Sequence, residues 1–162
     1  MYCTHYDSPL GKLLLTCTGE GLTGIYMNRE APDGPDDHPV LHQTAQWLDD
    51  YFRGEVPAVE VPLDLKGTDF QKQIWNILLT IPYGQLRSYG EIAREMAVHS
   101  GKQKMSAQAV GQAVGKNPVS ILIPCHRVVG SNGKLTGYAG GIHKKVWLLR
   151  HEGRQIEKDI VR

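Results

Sequence analysis

Cysteine is scarce in this chain of 162 residues, and its three cysteines, Cys3, Cys17 and Cys125, form no Cys-x-x-Cys pair. An odd count without such a pair argues against a disulfide framework and a four-thiolate zinc site, and it leaves at least one thiol free. The sequence also lacks an apolar run of about 18 residues, so it predicts no membrane span and no membrane partner. Residues 1–10 lack the basic start and apolar stretch of a signal peptide, and we therefore expect a cytoplasmic protein.

Charge is distributed unevenly along the chain, although the net charge is only +1. Residues 1–68 hold four Lys and Arg against eleven Asp and Glu, a net charge of −7, whereas residues 69–162 hold fourteen against six, a net charge of +8. A basic C-terminal part favours an anionic partner such as nucleic acid. The same distribution also fits two parts of one chain that attract each other, and charge alone leaves both interpretations open.

The first 66 residues have the pattern of a small α/β domain. Short apolar runs separated by glycines predict a meander of strands over residues 4–27. Over residues 40–52 the apolar spacing becomes helical, and residues 54–66 are predicted to be extended. We place a boundary after Lys66, which divides the chain into domains at 1–66 and 67–162.

Three helices are predicted at the start of the second domain. Two pairs have the spacing of capping boxes, namely Thr68 with Gln71 and Ser88 with Glu91. They predict helices over about 68–81 and 89–97, and small residues predict a third over 106–114. The last two helices form a helix-turn-helix pattern, whose small side chains would let a backbone approach a groove. A plain core hairpin has the same pattern, and spacing alone favours it.

The end of the chain mixes short strands with one helix. The apolar run at 119–123 predicts a buried strand that leads into Pro124 and Cys125. The Asn132-Gly133 pair between short apolar segments predicts a hairpin turn. A last helix is predicted over 144–151, and the polar tail from Gly153 is predicted to fray. The fold class is therefore α+β, with a small antiparallel sheet and a helix followed by a mostly helical domain.

Cys125 is the candidate nucleophile because its neighbours can favour the thiolate, which is the reactive form of sulfur. A nearby base or positive charge lowers the pKa of a thiol, and His126 and Arg127 could both act in this way. Neighbours in a strand point to opposite faces, so Cys125 and His126 cooperate only if the chain bends at Pro124 or a water bridges them. Glu152 is a candidate to orient the imidazole. A buried, inert cysteine beside a surface histidine is the alternative, and spacing alone favours it.

Several segments of the chain together resemble one known family. Ile123-Pro124-Cys125-His126-Arg127-Val128 resembles the active-site signature of the O6-alkylguanine-DNA alkyltransferases, also called methylated-DNA–protein-cysteine methyltransferases. The likeness is continuous over about residues 68–153 and weaker in residues 1–66. The other matching positions are Tyr83-Gly84-Gln85, Ser88-Tyr89, Ala109-Val110-Gly111, Lys116-Asn117-Pro118, Gly137-Tyr138-Ala139-Gly140-Gly141, Lys145, Trp147-Leu148-Leu149 and His151-Glu152-Gly153. An ordered set of this kind is specific, and it outweighs the alternatives given above.

The resemblance implies direct repair of alkylated double-stranded DNA. In that chemistry an alkyl group moves from O6 of a flipped-out guanine to the protein's own cysteine, once and irreversibly. Whether O4-alkylthymine is also repaired stays open. The resemblance further implies an N-terminal domain similar to ribonuclease H, a C-terminal domain with a helix-turn-helix, action as a monomer, and neither a metal nor an organic cofactor.

The resemblance also implies a role for each residue of the active site. Cys125 is the nucleophile, His126 takes its proton through a water, and Glu152 orients His126. Asn117 braces the turn before the cysteine, and Tyr89 rotates the nucleotide and helps to protonate the leaving guanine. The pocket for the base is implied to consist of Tyr138, Ala139 and the backbone carbonyl groups of Cys125 and Val128.

The surface implied to bind DNA consists of Ser106, Ala107, Gln108, Lys116 and Arg127. The common family pattern has an Arg where this chain has Gln108, and that Arg fills the gap left by the flipped base. Gln can hydrogen-bond the orphaned cytosine but carries no charge, so we expect weaker gap filling without loss of activity. Lys102 and Lys104 in the preceding loop could offset the missing charge through phosphate contacts, or the loop could simply be solvated.

Zinc is the one metal that the resemblance raises, because some relatives bind it in the N-terminal domain. The residues to consider are Cys3, His5, Cys17 and His38. Their spacing matches no standard zinc pattern, so no metal site is predicted.

Three other functions fit parts of the sequence. A non-enzymatic lesion-binding module of the alkyltransferase-like class carries Trp where Cys125 stands, so the cysteine favours the enzyme. A helix-turn-helix regulator would need more base-reading side chains than Gln108 and Gln112. A cysteine hydrolase would need an oxyanion hole tied to a leaving-group acid, for which the sequence offers no candidate.

Overall fold

The computed structural model describes residues 1–102 and 105–162. Gln103 and Lys104 lie outside the described residues, and so does the expected phosphate contact of Lys104. The described chain divides into two compact units. The N-terminal unit consists of Met1–Lys66 with Pro118–Ser120, and the C-terminal unit consists of Gly67–Asn117 with Ile121–Arg162.

A three-stranded antiparallel sheet and one helix form the N-terminal unit, as predicted. Its elements are β1 (Tyr2–Ser8), β2 (Gly11–Cys17), β3 (Leu22–Met27) and α1 (Pro39–Phe52), and the strand order is β1-β2-β3. Residues 13–17 of the central strand are all buried. The helix begins where the Val40 N–H donates to Nδ1 of His38, and it packs Leu48 and Tyr51, both fully buried, toward the sheet.

Two further segments join this unit through backbone pairing. Leu63 forms a parallel bridge with Leu22, where the Leu22 N–H donates to the Pro62 carbonyl at 2.8 Å. Val119 forms a parallel bridge with Ile25. Residues 118–120 therefore extend the N-terminal unit although they lie within the stretch assigned to the second domain from sequence.

Four helices and four short strands form the C-terminal unit. They are α2 (Asp69–Leu79), β4 (Arg87–Ser88), α3 (Tyr89–His99), α4 (Ala107–Gly115), β5 (Val128–Val129), α5 (Ile142–His151), β6 (Ile156–Glu157) and β7 (Ile160–Val161). Both predicted capping boxes are confirmed, at the first turns of α2 and α3. Within the described ranges, no helix combines the length and the apolar composition that a membrane span requires.

The predicted helix-turn-helix corresponds to α3 and α4, which pack on each other and on α2. The indole of Trp75 in α2 is buried and donates to the Ala113 carbonyl of α4 at 2.9 Å. One face of α4 is buried through Val110, Ala113 and Val114, so its small exposed residues lie on the opposite face. The apolar face of α4 therefore packs in the core, and the opposite face of this helix is exposed to solvent.

The predicted strand over 119–123 is wrong beyond its first residue. After the single bridge of Val119 the chain turns, and Ile121 adopts a left-handed φ of 73° that is unusual for a β-branched residue. Val119, Ile121 and Ile123 are nevertheless fully buried. A short apolar run indicates burial but not conformation, which explains the error. Asn117 closes the turn by donating from Nδ2 to the Ile123 carbonyl at 2.8 Å.

The Asn132-Gly133 turn exists, but it does not join two strands of a hairpin. Both residues have positive φ, as a tight turn requires. The segments on either side, however, pair with other parts of the chain. β5 pairs in parallel with β4, and the Leu135 N–H donates to the Asp159 carbonyl at 2.7 Å.

The tail does not fray as predicted. β6 and β7 form an antiparallel hairpin whose two turn residues, Lys158 and Asp159, have positive φ. Val161 is 4% exposed and joins a small core with Val129, Leu135 and Leu149. Three apolar residues among seven polar ones are too few to predict a strand pair, and the hairpin is stabilised by a core that only the fold assembles.

Candidate active site

Cys125, His126 and Arg127 form one 3-10 turn between Pro124 and β5. The Val128 N–H closes this turn by donating to the Cys125 carbonyl. Because the backbone is helical here, the strand geometry that would point neighbouring side chains to opposite faces does not apply. The cysteine is 8% exposed and the histidine is fully buried, so both reach the interior of the C-terminal unit.

The His126 ring forms a short hydrogen bond with Glu152. Nε2 of His126 lies 2.6 Å from Oε2 of Glu152, and both side chains are completely inaccessible to solvent. Burial lowers the pKa of His126, so its imidazole is neutral near pH 7. An ionised carboxylate can only accept, so the ring proton lies on Nε2. Nδ1, which is buried without a hydrogen-bond partner among the described residues, keeps its lone pair.

The Glu152 carboxylate receives four hydrogen bonds. Besides His126, its donors are Nε of Arg127 at 2.8 Å, Nη2 of Arg127 at 3.1 Å and the Gly84 N–H at 2.8 Å. Burial by itself would raise the pKa of Glu152, but the hydrogen bonds from His126 and Arg127 and the charge of Arg127 hold it well below its usual range. The carboxylate therefore stays ionised in a buried site, where it fixes the tautomer of His126.

Arg127 is buried, which contradicts its assignment to the DNA-binding surface. Only 7% of the residue is exposed, and its guanidinium is bound by Glu152 and, at 2.7 Å, by the Ile81 carbonyl. It also lies over the ring of Tyr83, 5.7 Å from the centroid. A buried cation needs such a partner, so Arg127 serves the charge balance of the site rather than a phosphate.

The Cys125 thiol lies in a region that disfavours the thiolate at rest. Burial raises its pKa, although hydrogen bonding by Asn117 and the charge of Lys145 act in the opposite direction. The thiol is therefore protonated near neutral pH, and a base is needed to activate it. Asn117 thus contacts both sides of the turn, since it also holds the Ile123 carbonyl.

Lys145 and Thr136 are site residues that the motif analysis left without a role. Nζ of Lys145 is fully buried and donates to the Val128 carbonyl at 2.7 Å and to Oγ1 of Thr136 at 2.9 Å. Burial lowers the pKa of Lys145 to about 8. Tyr89, at the first position of α3, places its hydroxyl 3.0 Å from Oγ1 of Thr136. Lys145 lies three positions before Leu148 on the same face of α5. This inward position was the signal in the sequence that could have indicated that Lys145 is buried.

The residues of the expected base pocket lie at the loop before α5. The Tyr138 hydroxyl is buried, whereas Ala139 is exposed. The loop turns back where the Gly141 N–H donates to the Tyr138 carbonyl at 2.9 Å. The Cys125 carbonyl accepts from the Val128 N–H, and the Val128 carbonyl accepts from Nζ of Lys145. A carbonyl has two lone pairs and can accept more than one hydrogen bond.

The exposed face of α4 carries most of the expected DNA-contacting residues. Ser106 caps the helix by accepting from the Ala109 N–H at 3.2 Å. Ala107, Gln108 and Lys116 are exposed, as is Lys102 beyond α3. This face therefore presents small or neutral groups along the helix and a cation at its end.

Three of the four residues considered for zinc have other contacts, and the fourth, Cys17, is fully buried. Sγ of Cys3 donates to the Pro32 carbonyl at 3.3 Å, Nε2 of His5 lies 3.2 Å from the Arg29 carbonyl oxygen, and His38 caps α1. Among residues 1–102 and 105–162, no group of three or more His, Cys, Asp and Glu side chains could hold a metal ion.

Family models match both parts of the chain. The model of the 6-O-methylguanine DNA methyltransferase ribonuclease-like domain matches residues 1–65, and the model of the DNA binding domain of the same enzyme matches residues 69–154. Fold and site thus define a two-part protein whose second part holds a helix-turn-helix and a buried cysteine followed by a buried histidine. The same order of parts was expected from sequence, including the likeness of the first part to a ribonuclease.

Individual relatives agree with the family models over nearly the whole chain. A methylated-DNA–protein-cysteine methyltransferase of Mycobacterium tuberculosis is 43% identical, covering 96% of both chains, and one of Methanosarcina acetivorans is 43% identical, covering 94% and 99%. The crystal structure of Mycobacterium tuberculosis OGT in complex with DNA has a TM-score of 0.82 at 44% identity, covering 94% and 92%. This chain belongs to the methylated-DNA–protein-cysteine methyltransferase family.

Proposed function

We propose that this protein repairs DNA by moving an alkyl group from O6 of guanine directly onto Cys125. The observation that carries the proposal is the 3-10 turn in which Cys125 adjoins a neutral, buried His126 held by Glu152. A thiol that is protonated at rest needs a base, and the neighbouring imidazole has a free lone pair on Nδ1. Membership of the methyltransferase family supports the same chemistry.

The proton path follows from the tautomer of the histidine. Nδ1 of His126 accepts the Cys125 proton through a water, and the resulting imidazolium is stabilised by the Glu152 carboxylate. The thiolate attacks the alkyl carbon, a carbon–sulfur bond forms, and the bond from that carbon to O6 breaks with its electron pair on the guanine. The Tyr89 hydroxyl supplies the proton that neutralises the leaving guanine. The His126 imidazolium then releases its proton to solvent and Tyr89 takes one up, so the net change is one proton moved from sulfur to guanine.

The transfer is stoichiometric because its product is a thioether. A thioether offers no leaving group that water could displace under mild conditions, so Cys125 is consumed in one turnover. No redox step occurs, and a proton and an alkyl group are the only groups that change places.

The target base enters the site by leaving the duplex. An O6-alkylguanine pairs poorly, so its extrusion costs less free energy than that of a normal base. The Cys125 and Val128 carbonyls accept from the guanine amino group, while Tyr138 and Ala139 wall the pocket. Specificity for the lesion therefore combines a low free-energy cost of extrusion with hydrogen bonds to one edge of the base.

DNA is bound through the exposed face of α4. Ser106, Ala107 and Gln108 lie at its start and Lys116 at its end. Small side chains let the helix backbone approach the groove, Gln108 occupies the gap left by the base, and Lys116 contacts a phosphate. Action as a monomer and a cytoplasmic location stay predictions.

The deciding experiment mixes the protein with a short duplex that contains one O6-methylguanine and records intact and peptide masses. We expect a gain of one methylene per protein, confined to the peptide with Cys125 and never above one equivalent. The Cys125→Ser variant should bind the duplex without any gain. Transfer by the unmodified chain would also establish that Gln108 suffices where the common pattern has Arg.

Two outcomes would contradict the proposal. Selective binding of the lesion without a mass gain would leave a non-enzymatic damage-binding module, the alternative class. Neither binding nor gain would mean that O6-alkylguanine is not the substrate.

A further inference from the structure

The Gly84 backbone is held from two sides by residues at the end of α5. Its N–H donates to Oε1 of Glu152 at 2.8 Å, and its carbonyl accepts from Nε of Arg154 at 2.6 Å. Gly84 has a φ of 78° in the turn closed by the Gln85 N–H and the Pro82 carbonyl, and a Cβ at Gly84 would approach the Glu152 carbonyl oxygen to 3.2 Å. The turn is therefore built to fit closely against the end of α5.

The end of α5 places Arg154 by backbone geometry. Gly153 has a φ of 93°, its N–H donates to the Arg150 carbonyl, and the Arg154 N–H donates to the Leu149 carbonyl at 2.9 Å. This is the hydrogen-bond pattern of a Schellman motif, which ends a helix in a defined direction. The side chains of Glu152 and Arg154 consequently both reach the turn that contains Gly84.

We infer that Arg154 is a positioning residue for the transfer reaction, because it holds Gly84 so that the Gly84 N–H stays on Glu152 and Glu152 stays on His126. The inference rests on the proposed function. No step of the proposed chemistry uses Arg154 directly, and its guanidinium acts through a backbone group on a carboxylate that orients the base. The chain of contacts runs from Arg154 through Gly84 and Glu152 to Nε2 of His126.

The same turn leads directly to the element that carries Tyr89. Three residues after Gly84 the chain enters β4, which pairs with β5 next to the cysteine turn, and Tyr89 begins α3. Arg127 binds the Ile81 carbonyl at the other end of the turn. Arg127 and Arg154 thereby hold the two ends of the turn from Ile81 to Gly84. This turn contacts Glu152 through Gly84 and leads to Tyr89, the proposed proton donor.

The test compares single-turnover rate constants of Arg154→Ala, Arg154→Lys and the unmodified protein over a range of pH. We expect the rate constant of Arg154→Ala to be about tenfold lower at pH 7. A general base contributes roughly hundredfold or more to the rate, and a misplaced Glu152 should remove only part of that contribution. The deficit should shrink as the pH rises beyond the ordinary thiol range toward the raised pKa of Cys125, because the thiol then ionises with less help from His126. Arg154→Lys, which keeps a donor, should recover part of the loss.

Control measurements separate positioning from stability and binding. Arg150→Ala removes an exposed arginine from the same helix and should match the unmodified protein in rate. The dissociation constant for the lesion duplex should not change in any variant, and thermal melting identifies loss of fold. A normal rate for Arg154→Ala, or a deficit that is the same at every pH, would overturn the inference. Failure of the unmodified protein to gain a methylene would instead overturn the proposed function.

Discussion

Individual residues of this site illustrate how a buried charge is made tolerable. Glu152 is 8% exposed, yet four donors from three residues saturate its two oxygens. Removing an ion from water costs several kcal/mol, so each of these contacts offsets a penalty before it adds stability. Motif analysis predicted Cys125, His126 and Glu152 as site residues, because they lie in short phrases that can be recognised locally, and the structure joins His126 to Glu152 by a hydrogen bond. It misassigned Arg127, because burial is a property of the folded chain and adjacency to a cysteine does not reveal it.

A pH-dependent stability follows from the carboxylate. The pKa of Glu152 is lowered on folding from its ordinary value of 4.5, so its contribution is fully present above pH 4.5 and is lost as the pH falls through the folded value. We expect Glu152→Gln to lower the free energy of unfolding at pH 7 by about 3 to 5 kcal/mol, as for one partner of a buried ion pair. The difference between the two proteins should narrow below about pH 4.

Urea unfolding at pH 7 and at pH 3.5 measures both effects. Glu157→Gln removes an exposed carboxylate near the same end of the chain and should leave the free energy of unfolding unchanged. A difference for Glu152→Gln that is equally large at both pH values would show that the ion pair does not titrate as argued.

The secondary-structure elements of the C-terminal unit differ in how well their own local sequence predicts them. α2 and α3 begin at capping boxes that can be read from residues three positions apart, and both were predicted. β4 and β5 contain two residues each and pair across about forty positions, so nothing local indicates them. The β6–β7 hairpin was also missed, because its strands are equally short and its turn uses Lys158 and Asp159 at positive φ.

The hairpin should contribute measurable stability through its one deeply buried side chain. Val161 packs with Val129, Leu135 and Leu149, and Val161→Ala removes two methyl groups from that small core. We expect the free energy of unfolding to fall by roughly 2 kcal/mol, from about 0.8 kcal/mol per buried carbon plus the cavity that remains. The control is Val98→Ala, the same change at a residue that is 77% exposed, and it should have no such effect. Equal effects of the two substitutions would mean that the tail is frayed in solution.

Charge is the property of the whole molecule that bears most directly on its partner. Residues 69–162 carry a net charge of +8, but several of their cations are occupied inside the unit, Arg127 and Lys145 among them. The number of cations available to DNA is therefore smaller than the sequence total, and the salt dependence of binding measures it.

Lys116, at the end of α4, tests whether an exposed cation of this unit contacts DNA. We expect Lys116→Ala to weaken binding of any duplex sequence and to reduce the slope of log Kd against log salt concentration by about one, the loss of one phosphate contact. Lys12→Ala removes an exposed lysine of the N-terminal unit and should leave the slope unchanged. An unchanged slope for Lys116→Ala would remove this residue from the interface.

The sequence by itself determined the family and the helices with strong local signals, while the roles of Cys125, His126 and Glu152 stay predictions from its motifs. These depend on residues within a few positions of one another, where capping, apolar periodicity and a short motif are legible. Only the tertiary structure decided that residues 119–123 turn, that Arg127 is internal, that Lys145 is buried, and that Arg154 reaches Gly84. The physical reason is that these features arise when segments distant in sequence exclude water together, and burial then forces each polar group to find a partner wherever the fold supplies one.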